Sequence, residues 1–206
     1  IVRRDVDNLA SDGEKSFDAY TKLIGHLINF SVELSLQGIS STIAGDVLAY
    51  NQLMQAKELA AQERGLGNGF LQASQIDQNR LAQFASYAGA QQSLLDGFLQ
   101  LKDEESKRAY EHRIFINPDG VLAKVRRQII NGGVFADLTN FDAKDWFAET
   151  TKRIEAMRAI EMETVSYLIS VAQQNAEQAL SGLKMMVGIL AIGLAAIIAI
   201  SIKMAV

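Results

Sequence analysis

The chain has 206 residues, a formal net charge of −4, no cysteine and a single proline, Pro118. Absent thiols exclude disulfides, thiol catalysis and thiolate metal sites, and a mildly acidic balance without basic stripes gives no electrostatic case for nucleic acid. Many Ala, Leu, Gln and Glu residues, with few alternating runs of Val, Ile, Thr or aromatics, predict an all-α chain of long helices.

The first helix is expected from about Ser11 to Gln37. Phe17, Tyr20, Leu23, Ile24, Leu27, Ile28, Val32 and Leu34 recur there with the spacing of one broad buried face. Gly38 suits the position just past its end, and Ser40 or Ser41 suits the cap of the next helix. That second helix carries Ile43, Val47, Tyr50, Leu53, Met54, Lys57, Ala60, Ala61 and Arg64, and Gly65, Gly67 and Gly69 are expected to interrupt or bend it. A third helix is expected from about Ser74 to Leu101, with Ile76, Leu81, Phe84, Tyr87, Ala88, Leu94, Leu95, Phe98 and Leu101 inward.

The charged run Lys102 to Arg113 reads as a solvated helix face. Asn117-Pro118-Asp119-Gly120 opens a further helix, Val121 to Ile130, and Asn131-Gly132-Gly133 closes it. Asp142 or Asp145 caps the last helix, which starts at Trp146 and carries a stripe of Phe147, Ile154, Met157, Ile160, Val165, Leu168, Ile169 and Val171. No breaker lies between Trp146 and Ser181, so the pattern runs into Met185–Ile202, an uncharged apolar stretch bracketed by Lys184 and Lys203. About 18 residues at ~1.5 Å each span roughly 27 Å, which predicts a transmembrane helix. The expected division is a helical domain over 1–182 and a membrane helix over 183–206. The first residue is Ile and the chain stops three residues after Lys203, so a piece of a longer protein is expected.

Enzyme chemistry finds little support. His26 and His112 lack ligand-spaced partners, Glu161 and Glu163 face different sides of a helix, and neither a glycine-rich phosphate loop nor a Ser-His-Asp order occurs. No metal and no cofactor are expected. One run carries more information: Ala56-Lys57-Glu58-Leu59-Ala60-Ala61-Gln62-Glu63-Arg64-Gly65-Leu66-Gly67-Asn68-Gly69-Phe70. Arg64 lies on or beside the apolar stripe among small residues. A guanidinium held between helices needs a counterion. Glu63, Glu58 or an acid elsewhere would supply it internally, or an exogenous planar oxyanion would, matched to the two-pronged donor edge.

The same run resembles a helix of the nitrate- and nitrite-sensing (NIT) family, whose pattern is close to A-K-E-x-A-x-x-E-R-G-x-G-x-x-F. Upstream, Tyr20-Thr21-Lys22-Leu23-Ile24-Gly25-His26-Leu27 is similar to the family's Y-x-x-L-I-x-x-L helix. Downstream, Asp145-Trp146-Phe147 through Thr151-Lys152-Arg153-Ile154 to Met157-Arg158 resembles its D-W-F-x-x-x-T-x-R-I-x-x-(L/M)-(K/R) helix. The matches fall in order from about residue 15 to 175. The resemblance implies four-helix-type bundles of long antiparallel helices, placed outside the cytoplasmic membrane of bacterial receptors of chemoreceptor or sensor-kinase type and signalling as homodimers. It implies nitrate or nitrite held by arginines between helices. Arg64 transfers to this chain, Arg153 matches the T-x-R-I position, and Arg127 or its neighbour Arg126 falls where the family often has an arginine. The resemblance further implies an earlier helix with its own E-R-G pattern, which is expected to lie before Ile1. Two alternatives keep the bundle and change its role: a sensor of another small anion, or a spacer without ligand.

Overall fold

The computed structural model describes residues 13–36 and 43–205, with side chains at all of these positions except 14, 31, 32, 34–36 and 193–205. Six α-helices and one 3-10 turn make up the described residues, which contain no strand. They are α1 (Gly13–Leu36), α2 (Ala44–Ala73), α3 (Gln78–Gln100), α4 (Glu104–Ile114), α5 (Val121–Gly132), the 3-10 turn Gly133–Phe135, and α6 (Ala143–Ala205). The all-α expectation therefore holds. Gly38, Ser40 and Ser41 lie outside the described residues.

Local chemistry explains most of the boundaries. Asp77 caps α3 by accepting a bond from the Arg80 backbone N–H, a role that the expected start at Ser74 overlooked; Ser74 instead ends α2 in the left-handed region. Asp103 caps α4 by accepting from the Glu105 and Ser106 N–H groups, and these bonds hold its carboxyl below the ordinary range. The Asp142 carboxylate accepts from the Lys144 N–H at 2.7 Å at the start of α6.

Packing divides the chain into two units, residues 1–164 and 165–206. In the first, α2 and α3 run antiparallel: Asp46 pairs with Lys102, Glu63 bonds Gln91, and the rings of Phe70 and Phe84 lie 5.9 Å apart. The first part of α6 is antiparallel to α2 and parallel to α3, since Trp146 meets Gly67 and Phe84 while Glu161 pairs with Lys57. One apolar cluster gathers Leu53, Ala60, Leu95, Phe98, Met157 and Ile160, and α4 closes it with Ile114 and Tyr110. A second gathers Phe70, Phe84 and Trp146, closed by Leu122, Val125 and Ile129 of α5. The Asn117–Gly120 turn thus places two short helices over two clusters, where one long helix would otherwise lie.

Three expectations need correction. Gly65, Gly67 and Gly69 do not break α2, which runs unbroken to Ala73. Gly67 instead makes room for an indole: a Cβ there would lie 2.5 Å from Cζ2 of Trp146. Gly65 does the same for Phe17 of α1, with a Cβ only 2.9 Å from its Cε2. The buried face of α2 is also rotated, running through Ala49, Leu53, Ala56, Ala60, Glu63, Gly67 and Phe70 and leaving Arg64 at its margin. On α1, finally, Tyr20, Leu23, Ile24 and Leu27 are exposed, because this helix packs against α2 on one side only.

The second unit starts at Val165, and its described residues, to Ala205, are all helical. Among the described residues no helix is long and apolar enough to cross a membrane. The expected span over 183–206 is therefore not met there: its side chains from 193 onward, more than half of the segment, lie outside the described residues.

Candidate functional site: a buried cationic layer

Between the two apolar clusters lies a polar layer. Glu63, Gln91 and Arg153 each occupy the core stripe of their own helix, one heptad from Phe70, Phe84 and Trp146 respectively. All three are at least nine-tenths buried. A core stripe interrupted at the same level on three helices forces these side chains to satisfy one another.

They do so through a chain of short bonds. Arg126 of α5 donates to Glu63 in a two-pronged pair, Nε to Oε1 and Nη2 to Oε2, both at 2.7 Å. Gln91 donates its Nε2 to Glu63 Oε2 at 2.7 Å, which turns its Oε1 toward α6. Arg153 Nη1 donates to that Oε1 at 2.7 Å, and its Nε donates to the Ile114 carbonyl at 3.5 Å. Arg153 therefore bonds neutral oxygens only. The one buried carboxylate of the layer is already held by Arg126, so two guanidiniums share a single negative charge.

The electrostatic result is visible at Arg153. Burial chiefly, with the neighbouring Arg126 charge acting the same way and Glu63 opposing both, lowers its guanidinium to about 10. Keeping such a group charged costs the folded chain stability at every pH below about 10, and the cost is relieved as pH rises above that toward the ordinary arginine range. Tyr50, Tyr87 and Tyr110, all raised by burial, work in the opposite direction over the same window. Comparison with Arg153→Met cancels the tyrosines: the stability of the parent relative to this variant should rise between pH 9.5 and 11.5, read as urea midpoints. A flat difference would mean that Arg153 is not desolvated.

Arg153 also lines a cleft of about 540 Å³ formed by α4, the turn after it, α5 and α6. The cleft has Asp119, Glu149 and Lys152 exposed at its rim, and Arg113, whose guanidinium Nη1 donates to both oxygens of Glu163 at 2.9 Å. No hydrogen bond of the described residues uses Nη2 of Arg153, so one corner of its donor fork is open.

Arg64 takes a different place. It is half-buried on the α2–α6 contact, where Nη1 donates to Thr151 Oγ1 at 2.8 Å and the guanidinium lies 4.6 Å over the Phe147 ring. None of the carboxylates suggested by the sequence pairs with it, since Glu63 goes to Arg126 and Glu58 accepts from Gln62. Thr151 and Arg153 lie on different sides of α6, so Arg64 and Arg153 do not share a cleft. Arg127 is exposed on α5, and its neighbour Arg126, half-buried, is the one that pairs with the buried Glu63. Glu63 and Gln91 were missed as site residues. Their signal was available, because both fall on the apolar spacing of their helices.

The helical domain thus holds a charged layer between two apolar clusters, and Arg153 of that layer also lines a second cavity of about 400 Å³ beside Leu95, Leu99 and Ile114. The family described as nitrate and nitrite sensing matches residues 1–167, and the chain belongs to this family, NIT. Sensing is therefore its functional class. No curated protein and no solved structure gives a significant match.

Proposed function

We propose that the domain senses nitrate or nitrite by seating the anion against Arg153 in the α4–α5–α6 cleft. The observation that carries this reading is a guanidinium nine-tenths buried whose bonds go only to neutral oxygens, beside an ion pair that leaves it without a carboxylate. A planar oxyanion matches the open corner of the donor fork. Binding removes the repulsion between Arg153 and Arg126 and so favours the bundle packing in which they lie closest, by as much as its affinity differs between the two packings.

Because Arg153 sits on α6, the bias acts directly on a helix that runs on to Ala205. In this reading α6 carries the signal along a receptor. Its apolar stretch Met185–Ile202 enters the membrane, with the sensory part outside the cytoplasm and two chains acting as a pair. Exposure of Met185, Ile189, Leu190 and Ile192 supports the membrane assignment. Arg64 serves to clamp α2 to α6 through Thr151 and Phe147.

Isothermal titration of the chain in detergent with nitrate, nitrite, acetate and sulfate tests this. Heat from nitrate or nitrite is expected in the parent, lost in Arg153→Ala, and retained in Arg127→Ala. Unchanged binding in Arg153→Ala would move the site elsewhere, with Arg64→Ala the next variant to titrate. Silence toward every anion would favour the spacer.

A further inference from the structure

We infer that Glu63 sets the valence of the anion: by neutralising the half-buried Arg126 guanidinium beside the buried one of Arg153 it leaves the layer a single positive charge, so the site selects monoanions over dianions. The inference rests on the proposed seating of the anion at Arg153.

The geometry makes the count unambiguous. Glu63 is held on both oxygens by Arg126 and on one of them also by Gln91. At 2 % exposure it is shut off from bulk solvent. Arg126 spends two of its donors on that carboxylate, while Arg153 reaches it only through the Gln91 amide. One negative and two positive charges thus stand within one layer. A nitrate-like monoanion brings the layer to neutrality, whereas a sulfate-like dianion leaves a net negative charge in a low-dielectric place, where an unmatched ion is costly. The rim cannot correct this. Lys152 stands at the rim with two acids, Asp119 and Glu149, so these three add no positive charge and, being exposed, are screened by water, and Arg113 is committed to Glu163.

The experiment compares nitrate and sulfate binding, at fixed ionic strength, in the parent, Arg126→Gln, and the double variant Glu63→Gln/Arg126→Gln, with helicity checked by circular dichroism. The parent should prefer nitrate by about tenfold or more, the scale of an unmatched buried charge. In Arg126→Gln the layer is neutral before any ligand arrives, so nitrate affinity should fall by about tenfold or more although Arg153 is untouched. The double variant returns the layer to one positive charge and should regain the nitrate preference that the single variant lost. Where the single variant fails to fold, the double decides alone: a folded double without nitrate preference overturns the inference. Parent-like nitrate binding in Arg126→Gln, together with its loss in Arg153→Ala, overturns the role of Glu63 and leaves the Arg153 seat standing. No anion binding in the parent, or parent-like binding in Arg153→Ala, overturns both.

Discussion

Trp146→Ala is expected to cost about 3–5 kcal/mol, the range for deleting a fully buried aromatic residue. For a chain of this size that corresponds to a fall of roughly 10 °C in Tm. The indole is wholly buried, lies 6.1 Å from the Phe84 ring, and donates its Nε1–H to the Arg64 carbonyl at 3.0 Å. Removing it opens a cavity in the second apolar cluster and takes away a hydrogen bond between α2 and α6. The reciprocal change makes the test sharper. Gly67→Ala would gain about 1 kcal/mol of helix propensity on an open helix face. Here its Cβ meets the ring at 2.5 and 2.6 Å, so a net loss of about 1–3 kcal/mol is expected. In the Trp146→Ala background the same glycine substitution should become stabilising. Urea unfolding of the four chains measures the cycle, and a Gly67→Ala chain more stable than the parent would show that the two helices are not in this contact.

Glu63→Ala is the second large effect, about 3–5 kcal/mol, because it takes the layer's carboxylate from the half-buried Arg126 and the nearest negative charge from the buried Arg153. The value for Glu163→Ala should be under about 1 kcal/mol, since its bond to Arg113 lies at the surface and is screened. The contrast separates burial from mere pairing: both glutamates bond an arginine on both oxygens, and only one does so inside the fold. Equal losses measured by thermal unfolding would contradict the buried layer.

The helix content was legible from spacing, composition and a handful of caps, and the ends of α3, α5 and α6 fell within a few residues of expectation. What escaped was phase. The glycines of α2 read as breakers because a sequence does not reveal that Phe17 and Trp146 arrive to fill the space beside them. Arg64 read as the interior cation because it sits among small residues, whereas Ala56, Ala60 and Phe70 put Glu63 on the inward face. On α5 the stripe of Leu122, Val125 and Ile129 already favours Arg126 over Arg127 for the inner position. Arg153 was legible, being one heptad from Trp146. Its shortage of counterions was not, since that depends on which arginine reaches Glu63 first.

The seat of Trp146 at Gly67 also limits how α6 can move. For α6 to slide along α2 by even one turn, about 5.4 Å, the indole would have to leave a notch that is not repeated one turn away, where Glu63 and Arg64 on one side and Phe70 and Leu71 on the other carry side chains. The Lys57–Glu161 pair farther along the same two helices rests on longer and more pliant side chains. One end of the contact is therefore a fulcrum and the other a loose coupling, a lever suited to tilting rather than to piston strokes.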